Sequence, residues 1–234
     1  MIGIHQSQFL PWLPFFYKVF ASDVFVILDD VQFQKNGVQN RNMIKTPQGT
    51  LWLTIPVRRS LETPLNAVEV ADQGIFDKIL KTLEMTYRQS CFFEPVFDEL
   101  KMVFEKRHTH LHVLNMDLVN IILNLMKKKV DIRLSSSMGT TKKKDELVIE
   151  IIKKSGETSY LSGLGGLEYM NLDQFRDEGI EVNVCEFVYG EYPQLWTKNK
   201  GFTPELSIID LLFNHLDQAY SYIMKHGRIK KVNQ

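Results

Sequence analysis

The sequence predicts an α/β fold with a Rossmann-like, open and mostly parallel sheet and flanking helices. Two observations favour this class. The run Val24–Leu28 is continuously apolar and rich in β-branched and aromatic residues, as in strands buried on both faces. A second strand-like run covers residues 2–4, and an apolar stretch with helical spacing separates the two. Strand, helix and strand within about thirty residues form a βαβ unit.

Composition excludes several classes of protein. Hydrophobic residues make up 44% of the 234 residues and charged residues 24%, so the chain can bury a full core. Lysine plus arginine equals aspartate plus glutamate, 28 against 28, which gives no overall electrostatic footprint for nucleic acid or an anionic membrane. The two cysteines, Cys91 and Cys185, fit a reducing compartment. With no visible signal peptide or membrane span, we expect a cytoplasmic protein.

The first strand is expected to end at His5 and Gln6, and Pro11 to begin the helix after it, since the first helical turn does not need its N–H. A good helix start also occurs at Thr203 and Pro204. We interpret residues 1–234 as a single α/β domain with a mostly helical insertion at about 75–128. The other predicted elements are a strand at 51–57, helices within 75–126, a strand at 130–134, a helix at 145–154, a strand at 180–188 and a last helix.

Polar residues follow the predicted strands. In open α/β sheets, ligands bind outside the carboxyl ends of the strands, so these residues are candidates for one site. They are His5, Gln6, Asp29, Asp30, Gln32, Asn40, Arg41, Asn42, Ser135–Ser137, Ser162, Gly163, Gly165, Gly166 and Glu186.

Two of these residues suit acid–base chemistry. The imidazole of His5 can donate, accept or carry a proton near neutral pH, and the alternative is a hydrogen-bonded core histidine. Asp29 can serve as a general base, and it or Asp30 can bind a substrate amine, a ribose or a metal, or cap the following turn. Arg41 between two asparagines is a fork for phosphate or carboxylate, or part of a plain turn.

Other patterns are less specific. The turn from Ser162 to Gly166 lets backbone amides approach a ligand, but it matches neither a Walker loop nor the dinucleotide fingerprint. His108, His110 and His112 alternate, yet no carboxylate or cysteine is near in sequence, so we predict no metal site. Cys185 is interpreted as a core residue. The side chains of Asp210 and Asn214 are expected to face either a ligand cleft or solvent.

Longer motifs resemble the WbqC-like protein family over nearly the whole chain and in the right order. Leu164 departs from the family pattern, in which proline is more usual. The matching segments are His5-Gln6-x-x-Phe9-Leu10-Pro11-Trp12, Phe16-x-Lys18, Asp23-x-Phe25-Val26-x-Leu28-Asp29-x-Val31-Gln32, Gln39-Asn40-Arg41-Asn42-x-Ile44-Lys45, Tyr160-Leu161-Ser162-Gly163, Tyr192-Pro193-Gln194-Leu195 and Phe202-x-Pro204-x-Leu206 through Asn214.

The resemblance implies a bacterial protein of gene clusters for O-antigen and other surface polysaccharides. It adds Tyr192 and Ser207 to the site candidates, beside Asp210 and Asn214. A transferase that moves an acyl or aminoacyl group onto a nucleotide-linked amino sugar fits this setting, with His5 or Asp29 as base. The donor would be a coenzyme A derivative.

Two other functions stay open at this stage. A fainter similarity to nucleotidylyltransferases implies a shared fold and, alternatively, nucleotidyl transfer or adenylation with Mg-ATP, although the second histidine of their His-x-Gly-His pattern is missing. A non-catalytic binding module of the same pathway is the remaining interpretation. In each case the expected partner is a small molecule, and a homodimer is left open.

Overall fold

The computed structural model describes residues 1–35, 37–60 and 62–232, with the backbone alone at residues 199 and 200. A six-stranded sheet forms its centre. Its strands are β1 (Ile2–Gln6), β2 (Val24–Leu28), β7 (Asp131–Leu134), β8 (Ser159–Gly163), β9 (Glu181–Phe187) and β10 (Gly227–Lys231). The remaining strands β3 (Arg41–Thr46), β4 (Gly49–Thr54), β5 (Val57–Arg58) and β6 (Glu69–Val70) form two separate ladders.

The helices occupy the connections between these strands. Three 3₁₀ turns, Leu65–Ala67, Ser135–Met138 and Leu216–Gln218, complete the pattern. The α-helices are α1 (Leu13–Ala21), α2 (Gly74–Tyr87), α3 (Phe93–Glu105), α4 (Leu111–Leu125), α5 (Lys144–Lys154), α6 (Leu164–Leu167), α7 (Leu172–Asp177), α8 (Thr197–Lys200), α9 (Ile208–His215) and α10 (Ala219–His226).

The order of the strands confirms the predicted fold class. Across the sheet the order is β7-β2-β1-β8-β9-β10, and every neighbouring pair is parallel except β9 with β10. Numbered along the chain, this is the order 3-2-1-4-5-6 of the Rossmann sheet, here with an antiparallel sixth strand. The order reverses at β1, whose neighbours are β2 on one side and β8 on the other.

The alternation of side chains along β1 and β2 divides the core between the two faces of the sheet. Ile2, Ile4 and Val26 pack with α5 and α7 in the smaller cluster. Phe25 and Ile27 point to the other face, where α1, α2–α4, α9 and α10 form the larger cluster. Period-two alternation with both faces apolar is what a central parallel strand requires.

Two helix starts differ from the prediction. The helix α1 begins at Leu13 with Pro14 in its first turn, not at Pro11. Pro11 instead accepts a hydrogen bond from the backbone N–H of Ile208 at 2.9 Å. The expected start at Thr203 is also wrong: α9 begins at Ile208, after the N-cap Ser207. Backbone hydrogen bonds to residues far along the chain hold both segments, and local capping signals do not reveal such bonds.

Strands β3 and β10 were not predicted. The triplet Asn40-Arg41-Asn42 leads into β3 and does not form a plain turn, because Arg41 pairs with Thr54 in an antiparallel hairpin. The strand expected at 51–57 is divided between β4 and β5, outside the main sheet. The strands at 130–134 and 180–188 and the helices within 75–126 are confirmed as β7, β9 and α2–α4. Within the described residues, no helix has the length and apolar character to cross a membrane.

We predict that Gly3→Ala destabilises the protein by roughly 1–3 kcal/mol, the usual cost of overpacking. A Cβ at Gly3 would lie 2.5 Å from Ser22 Oγ and 2.7 Å from the ring of Phe25, which is buried in the larger cluster and has no room to move. The matched control is Gly165→Ala, whose Cβ meets no atom within 4 Å. Urea unfolding measures both variants, and equal midpoints would contradict the packing argument.

Candidate functional site

A cavity of about 550 Å³ opens where the strand order reverses. Its wall includes Ile4 and His5 from β1, Lys18 from α1, and Ser162 and Gly163 from β8. Consecutive strands send their connections to opposite faces of the sheet at this point, which leaves a crevice at the carboxyl ends of the strands. We call it the switch-point cavity. It is mostly apolar and carries a few polar groups, as small-molecule sites do.

His5 presents a neutral imidazole to the cavity. Its Nδ1 lies 3.0 Å from the carbonyl oxygen of Gln6, and since a carbonyl only accepts, Nδ1 carries the proton and Nε2 is the acceptor. The ring packs edge-on to Phe15, with the ring centroids 5.5 Å apart. Burial, and then the charge of Lys18, lowers the pKa of His5 to about 4. At neutral pH the ring is therefore uncharged and able to accept a proton.

Lys18 is a buried cation that the sequence analysis did not single out. Its side chain is 3% exposed, and its ammonium donates to the carbonyl of Ile4 at 2.6 Å. Burial lowers the pKa of Lys18 to about 7. Within the described residues, no carboxylate lies within 4.0 Å of this ammonium. A buried charge with no carboxylate partner is costly, so its position on a cavity indicates a ligand that supplies a negative charge.

The glycine-rich turn also lines the cavity, as the strand-end argument predicts. Gly163 ends β8, Gly165 and Gly166 lie in α6, and all three form the wall with Ser162. A Cβ at Gly166 would lie 2.5 Å from Ser162 Oγ, so any side chain there would displace the Ser162 hydroxyl. Cys185 is also on the wall, and burial raises the pKa of its thiol to about 11. A thiol protonated at neutral pH is a poor nucleophile.

Asp29 does not line the switch-point cavity. Its carboxylate is 3% exposed and accepts hydrogen bonds from the Ser136 N–H at 3.0 Å, the Ser136 hydroxyl at 2.6 Å and the Ser135 hydroxyl at 3.1 Å. Ser135 also donates to Asp30. Burial acts to raise the pKa of Asp29, but the serine hydrogen bonds and His112 outweigh it and lower the pKa. This carboxylate is occupied by serine donors and lies outside the switch-point cavity, so the geometry favours His5.

A chain of buried polar groups continues from Asp29 and was not predicted. His112 Nε2 lies 4.0 Å from Asp29 Oδ2, and its Nδ1 lies 3.2 Å from the Ser7 hydroxyl. Asn115 approaches Ser7 and donates to the carbonyl of Gln39 at 2.9 Å. The sequence offered one signal for this network: two polar residues, His112 and Asn115, stand three positions apart on an otherwise apolar face of α4.

This polar chain reaches Gln6, because the Gln39 amide donates to the Gln6 side chain.

The alternating histidines had made His108 a candidate metal ligand. In the structure its Nε2 instead lies 3.0 Å from an Asp117 carboxylate oxygen. Among the described residues, no cluster of three or more metal-ligand side chains occurs.

The side chains of the asparagines before and within β3 donate hydrogen bonds to backbone carbonyls. Asn40 donates to the carbonyl of Ile55 at 2.8 Å. Asn42 and Ser207 both donate to the carbonyl of Leu10, at 2.8 and 2.7 Å, and Leu10 has a left-handed backbone with φ of 44°. Gln32 pairs with Pro64 through an isolated backbone bridge. These three side chains and Gln32 are outside the switch-point cavity, and Arg41 lines a separate pocket.

Asp210 lies in a buried cluster and not in the cavity. Tyr87 and Tyr192 donate to its two carboxylate oxygens at 2.8 and 2.9 Å, and the carboxylate is 1% exposed. Burial raises the pKa of Asp210 to about 6, against the lowering effects of the two tyrosines and of Lys45. Asn214 donates to the Asp210 carbonyl at 2.7 Å, within the helix α9.

We predict that Asp210→Asn removes part of the pH dependence of stability. The folded chain holds the Asp210 proton up to about pH 6, whereas the ordinary value is 3.8, so the free energy of unfolding falls as pH rises between these values. The variant has no such loss, and its unfolding free energy minus that of wild type should increase by about 2 kcal/mol from pH 4 to 7. Urea titrations measure this difference, with Asp98→Asn as an exposed control. A constant difference across that range would contradict the assignment.

Residues 6–222 match the model of the WbqC-like protein family. The uncharacterized protein Rv1507c of Mycobacterium tuberculosis (strain H37Rv) is 31% identical over 231 residues, which cover 95% of this chain and 96% of that protein. No solved structure matches the chain at a significant level. The match to the family model runs from β1 to α10, so this chain belongs to the WbqC-like protein family.

Proposed function

We propose that this protein is a transferase that moves an acyl or aminoacyl group onto the amine of a nucleotide-linked amino sugar, in the synthesis of bacterial surface polysaccharide. The observation that carries the proposal is that a neutral imidazole, His5, and a buried ammonium, Lys18, line one cavity at the topological switch point. The first is suited to acid–base work and the second to an anionic ligand. Membership of the family supports the polysaccharide setting by resemblance.

The expected chemistry uses the two groups in different ways. The sugar amine attacks the carbonyl carbon of the donor thioester, the new C–N bond forms, and the C–S bond breaks to release a thiolate. Nε2 of His5 accepts the amine proton and passes it to the leaving thiolate. Because the pKa of His5 is about 4, its protonated form is a strong enough acid to give the proton up.

Lys18 and the glycine-rich turn would hold the phosphates of the sugar nucleotide. The Lys18 ammonium has three N–H donors, and the Ile4 carbonyl accepts from one of them. The backbone amides from Gly163 to Gly166 border the same cavity and suit an anion that approaches closely. Glu205 is on the wall as well and is exposed, with a left-handed backbone φ of 60°. A carboxylate in this place would pair with the amine of the acceptor sugar.

We predict that thermal stability responds to nucleotide sugars through Lys18. A ligand at a hundred times its dissociation constant stabilises a protein by about 2.7 kcal/mol, which a melting experiment resolves. Lys18→Met should raise the unfolding free energy of the ligand-free protein by roughly 1–3 kcal/mol, because a buried charge is removed, and should abolish the response. Lys101→Met, at an exposed lysine of α3, is the matched control.

The ligand panel separates the alternatives. Nucleotides, nucleotide sugars, coenzyme A derivatives and Mg-ATP are each tested with wild type and Lys18→Met. A response to Mg-ATP alone would replace the proposal by nucleotidyl transfer or adenylation. Silence across the panel would favour a non-catalytic binding module.

We predict that His5→Gln lowers turnover by about 10²–10⁴-fold, the usual contribution of a general base, with little change in KM for the sugar nucleotide. Glutamine keeps an acceptor near the same place but does not take up a proton. The wild-type rate should fall as pH drops through about 4 and His5 becomes charged. Thiol release from the acyl donor reports turnover, and His110→Gln is the control. Unchanged turnover in His5→Gln would exclude His5 as the base.

A further inference from the structure

Lys18 has a reactivity that the proposed transfer reaction does not use. Its side-chain nitrogen donates to the Ile4 carbonyl at 2.6 Å, and the ring centroid of Tyr160 lies 5.7 Å from the same nitrogen. Both neighbouring groups are neutral, and Lys18 and Tyr160 are together on the wall of the switch-point cavity. Because Lys18 is 3% exposed, water does little to stabilise a charge there. These surroundings favour the uncharged amine, which is a nucleophile.

A second buried lysine, Lys45, shows the contacts of a structural lysine. Its ammonium donates to the Gln194 side chain at 2.9 Å and to the Gly201 carbonyl. Burial lowers the pKa of Lys45, and the carboxylate of Asp210 opposes that effect. Lys45 is not on the cavity wall. Lys18 has one hydrogen-bond acceptor, and among the residues that the structure describes no carboxylate is within 4.0 Å of it, so its contacts do not fix it as a cation.

The other groups on the cavity wall leave Lys18 as the nucleophile. Burial raises the pKa of Cys185 to about 11 and that of Tyr160 to about 12, and it also raises the pKa of Tyr189. The thiol and the phenols therefore keep their protons at neutral pH. Burial lowers the pKa of Lys18 to about 7, so the free amine and the ammonium coexist. The neutral imidazole of His5 is on the same wall and can accept a proton from the amine.

We propose that Lys18 forms a reversible imine with a small aldehyde or ketone bound in the switch-point cavity. The amine nitrogen attacks the carbonyl carbon, and a C–N bond forms while the C=O π bond breaks. Nε2 of His5 carries the two amine protons, one after the other, to the former carbonyl oxygen. The C–O bond then breaks, water leaves and the C=N bond forms. The reaction joins an amine and a carbonyl compound with loss of water and needs no oxidant or reductant.

The cavity suits this reaction by its size and its character. Its volume of about 550 Å³ is within the range of about 300–1,000 Å³ that small-molecule ligands fill. The mostly apolar wall limits water, which is the product of the reaction and the agent of its reversal. A neutral imine also avoids a buried charge. The proposal does not depend on the transfer reaction, because a phosphate binds the ammonium form and a carbonyl compound reacts with the amine form.

Pyridoxal is the probe, because it is an aldehyde without a phosphate group and its imine absorbs visible light. Cyanoborohydride reduces the imine to a stable secondary amine, and peptide mass spectrometry then identifies the labelled lysine. Lys101 of α3 is exposed and is the internal reference. At pH 7 we expect labelling of Lys18 to be at least about tenfold faster than labelling of Lys101, since an exposed lysine ordinarily keeps its proton at that pH.

The pH profile is a second readout. The rate of labelling at Lys18 should rise up to about pH 7 and then become constant, because the amine has lost its proton by then. His5 is neutral throughout this range, with a pKa lowered by burial to about 4. Glu205, the carboxylate on the cavity wall, is exposed to solvent. The rate at an exposed lysine should continue to rise well above pH 7.

Variants test the assignment further. Lys18→Met should remove the visible band, and so should Lys18→Arg, which keeps a positive charge and has no amine. Lys101→Met is the matched control and should keep the band. The peptide map of the wild-type protein needs no variant, so it decides the question even if the Lys18 variants do not fold by circular dichroism.

Two results would overturn the proposal. One is equal or slower labelling of Lys18 relative to Lys101, which would indicate ordinary surface reactivity. The other is a visible band that persists in folded Lys18→Met. Absence of a thermal response to nucleotide sugars would end the transferase proposal and leave these expectations unchanged, so the two proposals fail separately.

Discussion

The reversal of strand order at β1 is the constraint on which the rest of the structure depends. Because β1 pairs in parallel with both β2 and β8, its carboxyl end has a strand end on each side. The connection after β1 packs α1 against the larger cluster, and the connections around β8 pack α5 and α7 against the smaller one. A crevice is left between them, and His5 is the residue that β1 delivers to it.

Two buried charges show how differently the fold treats ions. Asp210 has a tyrosine hydroxyl on each oxygen and Lys45 nearby, so its charge is compensated within the core. Lys18 has the Ile4 carbonyl, a neutral acceptor, and a cavity. A chain under selection for stability alone would favour an apolar side chain at position 18. The contrast is the physical reason to treat Lys18 as part of a binding site and Asp210 as part of the scaffold.

The polar chain from Asp29 to Gln6 links strand ends to the helical region. His112 and Asn115 of α4 contact Ser7 and the segment before β3, and that segment contributes Val38 to the switch-point cavity. The backbone N–H of Phe9 also donates to the Val38 carbonyl at 3.1 Å. Buried hydrogen bonds of this kind fix the positions of the groups that make them, so they hold the cavity wall in place. Several residues of the family motifs, among them Asp29, Asn42 and Ser207, stabilise the fold through buried hydrogen bonds of this kind.

The sequence by itself determined the sheet class, because Val24–Leu28 and the other apolar runs are long enough to require burial on two faces. It also placed His5 and the turn from Ser162 to Gly166 at strand ends that meet. The edge strand β10, rich in lysine, and the start of α9 depend on partners far along the chain, so no local pattern reports them. Tertiary structure alone separated Arg41 and Asp210 from the cavity and brought Lys18 into it. The physical reason is that spacing along the chain sets which face a side chain takes, whereas only packing decides whether that face meets a cavity, a ring or another charge.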